Sequence, residues 1–270
     1  MSATLTILGC GSSGGVPRLG NQWGKCDPGN PKNRRRRCSV LIEKTTSNGT
    51  TRVLIDTSPD VREQLLDAHV DHLDAVVYTH DHADHTHGID DLRVLALIAR
   101  KRVRVYYDAA TRKTLNQRFG YCFKAVAPEY PPILEGHEIE AGDTLVVKGA
   151  GGKLTLQPFA QEHGAITSLG IRCGALAYSS DISDVPDGSL AALQDLDVWI
   201  VDALRYDYHP AHFAVKDALH WIERMAPKRA LLTHLHIDLD HDILDAETPA
   251  HVAPAFDGMK ITFDDTPVVD

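Results

Sequence analysis

Residues 73–85 spell Leu-Asp-Ala-Val-Val-Tyr-Thr-His-Asp-His-Ala-Asp-His. The first part is an apolar run typical of a buried strand, and the second part places three histidines and two aspartates within seven residues. His80 and His82 stand two positions apart, so on an extended segment their side chains point the same way. Asp84 and His85 follow at the expected start of a helix and face a second location. This one loop therefore predicts ligands for two neighbouring metal ions.

The alternative is that these histidines simply fill a polar loop, which is the common fate of a single histidine. Four potential ligands lie between His80 and His85, however. Such a cluster is costly without a metal, because buried imidazoles and like charges destabilise one another. Imidazole and carboxylate groups suit zinc, manganese or iron, and no thiolate accompanies them. The spacing favours a metal site over a polar loop.

The rest of the chain predicts an α/β protein. Apolar runs typical of strands are followed by helical patterns in each half, with a period of 3.6 after Ile89 and again from His212 to Met225. A shorter helix is predicted near Ser189–Asp195. This order predicts two mixed β-sheets packed face to face with helices outside, an αββα sandwich. The composition shows no linker, so we expect residues 1–270 to form one domain. Asn21 to Arg37 is predicted to be a long surface loop.

The composition limits the partners. The net charge is −9 and the isoelectric point is about 5.9, which argues against binding long nucleic acid through the overall field. The five cysteines form no CxxC pair, which favours a reducing compartment. Neither a signal peptide nor a membrane span is recognisable. We expect a cytoplasmic protein without a membrane partner, and a homodimer stays open.

The segment from Thr79 to His85 resembles the T-H-x-H-x-D-H signature of the metallo-β-lactamase superfamily. That resemblance implies the metallo-β-lactamase fold and further ligands later in the chain, which match His163, Asp181 and His234. The early Leu54-Ile-Asp56 resembles a segment that lies beneath the site in this family. By analogy, one ion takes His80, His82 and His163, a second takes Asp84, His85 and His234, and Asp181 bridges the two.

The opening Gly9-Cys-Gly-Ser-Ser-Gly-Gly-Val-Pro17 and the later Arg-Arg-Cys-Ser39 are similar to the cyclic phosphodiesterases of the carbon–phosphorus lyase pathway and, more distantly, to ribonuclease Z. This implies two divalent ions (Zn²⁺ or Mn²⁺), a hydroxide shared between them, and a small nucleotide-like or cyclic ribose phosphodiester as substrate. The cysteine-rich zinc loop of that family is reduced here to Cys26, which puts a structural zinc in doubt. A glycine-rich opening also occurs in quinone-cofactor biosynthesis proteins.

Other residues receive roles by this resemblance or by their position. Asp84 counts both as a ligand and as a catalytic residue, and His212 is expected to protonate the leaving alkoxide. His209 is expected to bind substrate, or to replace or orient His212. Arg34 to Arg37 is a charge run of the kind that is usually solvated. Because it precedes the Cys-Ser strand near the glycine loop, we expect Arg36 or Arg37 to reach a substrate phosphate.

Two alternatives to a phosphodiesterase stay open, because this fold hosts several chemistries. One is a thioester or lactone hydrolase on the same scaffold. The other is a non-catalytic module that holds a nucleotide at its metal centre. Chromogenic esters assayed beside bis(p-nitrophenyl) phosphate test the first alternative, and a measurement of turnover on tightly bound ligand tests the second.

Overall fold

The computed structural model describes residues 2–125 and 127–267, and two seven-stranded sheets dominate this part of the chain. The first sheet has the order β14-β1-β2-β3-β4-β5-β6. Its strands are antiparallel from β14 to β3 and parallel from β3 to β6. They span β1 (Ser2–Gly9), β2 (Ser39–Thr46), β3 (Gly49–Ile55), β4 (Ala75–Val77), β5 (Val103–Tyr107), β6 (Leu134–Glu138) and β14 (Lys260–Asp264).

The second sheet has the order β13-β12-β11-β10-β9-β8-β7. Its pairs are antiparallel from β7 to β10 and parallel from β10 to β13. The two sheets thus share one pattern, with antiparallel pairs on one side and parallel pairs on the other. The strands span β7 (Leu145–Gly149), β8 (Gly152–His163), β9 (Ile166–Cys173), β10 (Leu176–Ser179), β11 (Val198–Asp202), β12 (Arg229–Thr233) and β13 (Val252–Pro254).

Helices cover the outer face of each sheet. They are α1 (Val61–Asp67), α2 (Ala83–Thr86), α3 (Leu92–Ala99), α4 (Ala109–Phe123), α5 (Val215–Met225) and α6 (His241–Glu247). Apolar side chains of α1, α3 and α4 pack on the first sheet, and those of α5 and α6 pack on the second. A third apolar layer, drawn from both sheets, lies between them. Burial on both faces of both sheets confirms the predicted αββα sandwich.

Three local predictions need correction. The helix expected from His212 begins three residues later, at Val215. The helix expected near Ser189 is a 3₁₀ helix over Asp187–Leu193. The segment 21–37 is not wholly a surface loop, because Arg35 is only 2% exposed. Its guanidinium donates to the carbonyl of Leu239 at 2.7 Å, a partner far away in the sequence.

Glycines in the opening loop allow the chain to pass close to its neighbours. A Cβ at Gly9 would lie 2.1 Å from the carbonyl oxygen of Arg37, and one at Gly11 would lie 3.0 Å from Arg35. The loop also hydrogen-bonds to the segment after β12, where Leu235 N donates to Cys10 O at 2.8 Å. The glycines therefore serve close packing beside the end of β12.

Within the described part of the chain, no helix combines the length and the apolar character needed to cross a membrane.

The layer between the sheets should carry much of the stability. Ile200 on β11 is fully buried there, so Ile200→Ala should lower the free energy of unfolding by about 2–5 kcal/mol. Urea denaturation measures this as a lower midpoint with an unchanged slope. The matched control, Ile243→Ala on α6, removes a side chain that is 54% exposed and should change stability by less than about 0.5 kcal/mol. Similar losses in both variants would contradict this placement of the core.

Candidate metal centre

The candidate ligands lie where strands end. The histidine loop follows β4, and His163 is the last residue of β8. Asp181 comes two residues after β10, and His234 directly follows β12. Because β10 and β12 are parallel to the strand between them, their carboxyl ends share one edge of the second sheet. This topology brings residues from four strands together at a single location.

A buried carboxylate, that of Asp56, fixes the histidine loop. Its oxygens accept hydrogen bonds from Thr79 N and Thr79 Oγ1, both at 2.8 Å, and one lies 2.7 Å from His85 Nδ1. Burial raises the pKa of Asp56, while contact with His85 acts in the opposite direction. The contact at Nδ1 orients the ring of His85, so that its Nε2 is available to bind a metal ion.

His80, His82 and His163 form the first ligand group. Their ring centroids are 4.5–5.1 Å apart, and one ligand atom from each lies within 4.8 Å of the others. His163 Nδ1 donates to the carbonyl of Ala211 at 2.6 Å, which fixes this ring. Burial lowers the pKa of His163 to about 4, so its imidazole is neutral, the form that binds metals.

Asp84, His85 and His234 form the second group, with ligand atoms within the same 4.8 Å limit. Asp181 lies between the two groups: its oxygens are 3.1 Å from His85 Nε2 and 3.6 Å from His234 Nε2, and also 3.9 Å from His80 Nε2. Burial alone would raise the pKa of Asp181, but the imidazoles of His234 and His85 hold it well below its usual range. An ionised carboxylate between two sets of imidazoles is the arrangement that a bridging ligand requires.

Unpaired buried atoms test whether these residues fit metal ions. His80 Nε2, His85 Nε2, His234 Nε2 and Asp181 Oδ2 are buried and have no hydrogen-bond partner among the residues that the structure describes. Leaving such atoms without a partner costs about 1–3 kcal/mol each. Three of them belong to the two ligand groups and the fourth to Asp181 between them, and their chemistry is that of divalent-metal ligands. The residues present therefore fit the metal ions that the sequence predicts.

His212 lies beside the cluster. Its ring stacks on that of His234 with centroids 4.6 Å apart and planes inclined by 10°, and its centroid is 4.7 Å from that of His163. His212 Nδ1 is 2.6 Å from Asp202 Oδ2. Burial raises the pKa of Asp202 well above its usual range and lowers the pKa of His212. With Nδ1 occupied by Asp202, His212 has only Nε2 left for another partner.

Sequence reasoning missed Asp202, although a signal was present. It ends the apolar run Trp199-Ile-Val-Asp202, just as Asp181 follows the apolar end of β10. A carboxylate that closes a buried strand, next to strands that end in ligands, is a candidate for the same site. The sequence alone does not show that β11 lies between β10 and β12.

The remaining predicted residues have different surroundings. His209 lies near the cluster, with its ring centroid 5.0 Å from that of His212 and its Nδ1 accepting from Ala211 N at 3.2 Å. Arg36 and Arg37 are engaged elsewhere: Arg36 pairs with Asp67, and Arg37 Nη2 donates to Asp60 Oδ1 at 2.9 Å.

The expected substrate role of Arg36 and Arg37 therefore gains no support from the geometry. Within the described part of the chain, neither guanidinium hydrogen-bonds to a residue of the cluster, and both charges are already matched by carboxylates on or next to α1. A guanidinium committed to a carboxylate must break that pair before it can bind a phosphate.

Comparison with known proteins agrees with this geometry. Residues 51–235 match the family model described as the beta-lactamase superfamily domain. The chain is 35% identical to a diphosphatase from the PhnP family, with a TM-score of 0.85 over 97% of this chain and 98% of that structure. The short form of human tRNase Z shares the fold, with 16% identity and a TM-score of 0.63 over 96% of this chain and 98% of that one.

A curated relative is larger. The octanoyltransferase of Porphyromonas gingivalis is 30% identical over 262 residues, which are 96% of this chain. The chain spans about half of that protein's length (51%).

The matched region contains Asp56, the histidine loop, His163, Asp181, Asp202 and His234, so the family model covers every ligand of the candidate metal centre. A match over more than half of the chain, together with the αββα sandwich and the two ligand groups, leads to one assignment. The chain belongs to the metallo-β-lactamase superfamily of metal-dependent hydrolases, in the branch that contains the PhnP family.

Proposed function

We propose that this chain is a dinuclear phosphodiesterase that hydrolyses a small nucleotide-like or cyclic ribose phosphodiester. The observation that carries the proposal is an imidazole that is not needed as a ligand and lies against the candidate ligands His163 and His234. This is His212, which Asp202 contacts at 2.6 Å. Hydrolysis of an alkyl phosphodiester needs both an electrophilic centre and a proton donor. In this structure the candidate metal ligands and the proposed proton donor, His212, lie side by side.

Two groups of residues would hold the ions: His80, His82 and His163 on one side, Asp84, His85 and His234 on the other, with Asp181 shared. Bound divalent ions supply Lewis acidity, which neutralises phosphate charge and makes water a better nucleophile. Zn²⁺ and Mn²⁺ both suit imidazole and carboxylate ligands. Asp56, bonded to His85 Nδ1, keeps the ring oriented for this role.

His212 serves as the proton donor to the leaving oxygen. Nδ1 lies 2.6 Å from Asp202 Oδ2, and this contact leaves Nε2 to carry the transferred proton. The stacked ring of His234 and the nearby ring of His163 restrict the rotation of His212. His209, whose ring centroid is 5.0 Å from that of His212, would contact the substrate near the leaving group.

The substrate class follows from charge and similarity together. A net charge of −9 disfavours a long polyanion, so we propose a small phosphodiester substrate rather than a nucleic acid, in the cytoplasm. The diphosphatase to which the chain is 35% identical supports phosphate chemistry, and it adds phosphoanhydrides to the substrates that should be tested.

The name of the Porphyromonas relative supports a second candidate, a hydrolase of acyl thioesters. The same metal centre would polarise a thioester carbonyl in place of a phosphate. An octanoyl thioester beside bis(p-nitrophenyl) phosphate, assayed with the same metal-loaded preparation, separates the two functions. Turnover of the thioester alone would overturn the phosphodiesterase proposal.

The shared carboxylate should govern metal content. Asp181→Ala removes a carboxylate that lies 3.1 Å from His85 of one group and 3.9 Å from His80 of the other, so bound metal should fall below the two equivalents per chain expected for the parent protein. Turnover should fall on the order of 10²-fold or more. Elemental analysis after reloading measures the metal content, and phosphodiester hydrolysis measures the turnover.

In the control, Asp184→Ala removes an exposed carboxylate three residues away and should leave both metal content and turnover unchanged. An Asp181→Ala protein with two ions and activity within a few-fold of the parent would exclude the bridging role.

The proton donor should be visible in the dependence on leaving group. His212→Ala should keep its metals but lose roughly 10²–10⁴-fold in rate on alkyl phosphodiesters, whose leaving alkoxides need a proton. An activated p-nitrophenyl diester should lose much less, because nitrophenolate leaves without protonation. The ratio of the two losses is the quantity to measure. In the control, His220→Ala removes an exposed histidine on α5 and should change neither rate. Equal losses on both substrates, with metal content intact, would remove His212 from this role and make His209 the next candidate.

A further inference from the structure

Helix α4 contacts the histidine loop at Asp81, the residue between the candidate ligands His80 and His82. Thr114 Oγ1 donates to Asp81 Oδ2 at 2.6 Å, and Arg118 Nη1 donates to the carbonyl of Asp81 at 3.2 Å. Thr114 and Arg118 stand four positions apart on α4, so their side chains lie on the same face of the helix. Both the side chain and the backbone of Asp81 are therefore bonded to α4.

The helix α4 is itself fixed against the first sheet. Leu115 is fully buried in the apolar layer that α4 shares with this sheet. Asp108 Oδ1 accepts from Thr111 N at 2.8 Å and caps the N-terminus of the helix. Near its other end, the ring of Phe119 lies against that of His87, which follows α2, with centroids 5.5 Å apart. The helix α4 thus offers a packed support to the histidine loop and to α2.

The three imidazoles of the first ligand group differ in how their second ring nitrogen is held. His80 Nδ1 lies 3.0 Å from Thr79 Oγ1, and His163 Nδ1 donates to the carbonyl of Ala211 at 2.6 Å. His82 directs Nδ1 toward the group, since this atom lies 3.2 Å from His163 Nε2. Among residues 2–125 and 127–267, His82 Nε2 has no hydrogen-bond partner, and the residue is exposed. His82 therefore lacks the contact that usually orients a metal-binding histidine.

The position of His82 depends on its backbone instead. On the C-terminal side, its carbonyl accepts from Thr86 Oγ1 at 2.8 Å. On the N-terminal side, the carbonyl to which Arg118 donates belongs to the peptide bond that joins Asp81 to His82. This peptide bond is planar, so a contact that fixes its carbonyl also fixes the nitrogen of His82. Thr114 secures the same residue through its side chain.

We propose that Thr114 and Arg118 are positioning residues for the metal ion of the first ligand group. Through Asp81 they hold the peptide that carries His82, and they replace the ring contact that this ligand lacks. The inference rests on the two-ion centre of the proposed function and not on its substrate. The second ligand group has a separate support, because Asp56 contacts one of its imidazoles at 2.7 Å. The contacts with α4 should therefore govern the affinity for the first ion alone.

A zinc titration of the metal-free protein tests this inference. Competition with a chromogenic chelator gives a dissociation constant for each of the two zinc equivalents that we expect the parent protein to bind. Thr114→Val removes the hydroxyl that donates to Asp81, so it should weaken one equivalent by about 10–10²-fold and leave the other within a few-fold of the parent value. Arg118→Met should weaken the same equivalent. Thr114→Ser keeps the hydroxyl and should retain most of the affinity.

Two further variants control for the helix and identify the ion. Lys113→Val places the same β-branched side chain at a neighbouring exposed position of α4 and should leave both zinc constants unchanged. His163→Ala removes a ligand of the first group, so only the second ion should remain tightly bound. Thr114→Val added to His163→Ala should not weaken that remaining ion, because both substitutions act on the same site.

The outcomes separate this inference from the proposed function. Two zinc constants that stay near the parent values in Thr114→Val, or that both weaken alike, would overturn the positioning role and leave the two-ion phosphodiesterase standing. A further loss of zinc affinity in the His163→Ala background would also overturn it.

A parent protein that binds a single zinc ion would overturn the two-ion centre and the positioning role with it. One weakened constant, retained in Thr114→Ser and accompanied by a parental thermal midpoint of the metal-free protein, supports the positioning role. The same result in a protein that turns over only a thioester would support this role and overturn the phosphodiesterase function.

Discussion

The carboxylate of Asp56 connects the histidine loop to the first sheet, and the geometry of the candidate metal centre depends on this contact. It accepts from the backbone and hydroxyl of Thr79 and contacts His85 Nδ1, so one side chain connects the end of β3 to both ends of the histidine loop. Asp56 adopts a left-handed backbone conformation (φ 63°), which is uncommon for a residue other than glycine. His234 shares this feature (φ 59°). Strain at two positions in contact with the site is maintained by the packed sheets around them.

The second sheet supplies the candidate ligands of the site that do not come from the histidine loop. Its parallel strands β10, β11 and β12 end beside one another, and they are followed or closed in turn by Asp181, Asp202 and the candidate ligand His234. Three acidic or imidazole groups could not approach so closely on a flexible loop without repulsion and loss of conformational entropy. The rigid ladder between the strands fixes their spacing before any ligand binds. The same edge positions His212, whose loop returns to Asp202.

Much of this arrangement was predictable because its signals are local. The alternation of apolar runs and turns indicates the sandwich, and the ligands of the first loop lie within six residues. Partners distant in sequence were not predictable: Arg36 and Arg37 meet Asp67 and Asp60 only after β2 and α1 are in place. Burial of Arg35 depends likewise on carbonyls from the segment before α6. His212 was assigned to a helix that begins only at Val215, because an apolar period does not reveal where the preceding loop ends.

The division of the ligands between the two sheets has a consequence for biosynthesis. His80, His82, Asp84 and His85 belong to the half of the chain that supplies six of the seven strands of the first sheet, whereas His163, Asp181 and His234 belong to the other half. A nascent chain is made from its N-terminus, so an emerging polypeptide carries an incomplete chelate until β12 has left the ribosome. Metal capture is then coupled to the docking of one sheet on the other, and it reports the completion of the fold. A truncated product keeps the conspicuous histidine loop but lacks the residues that close it into a centre.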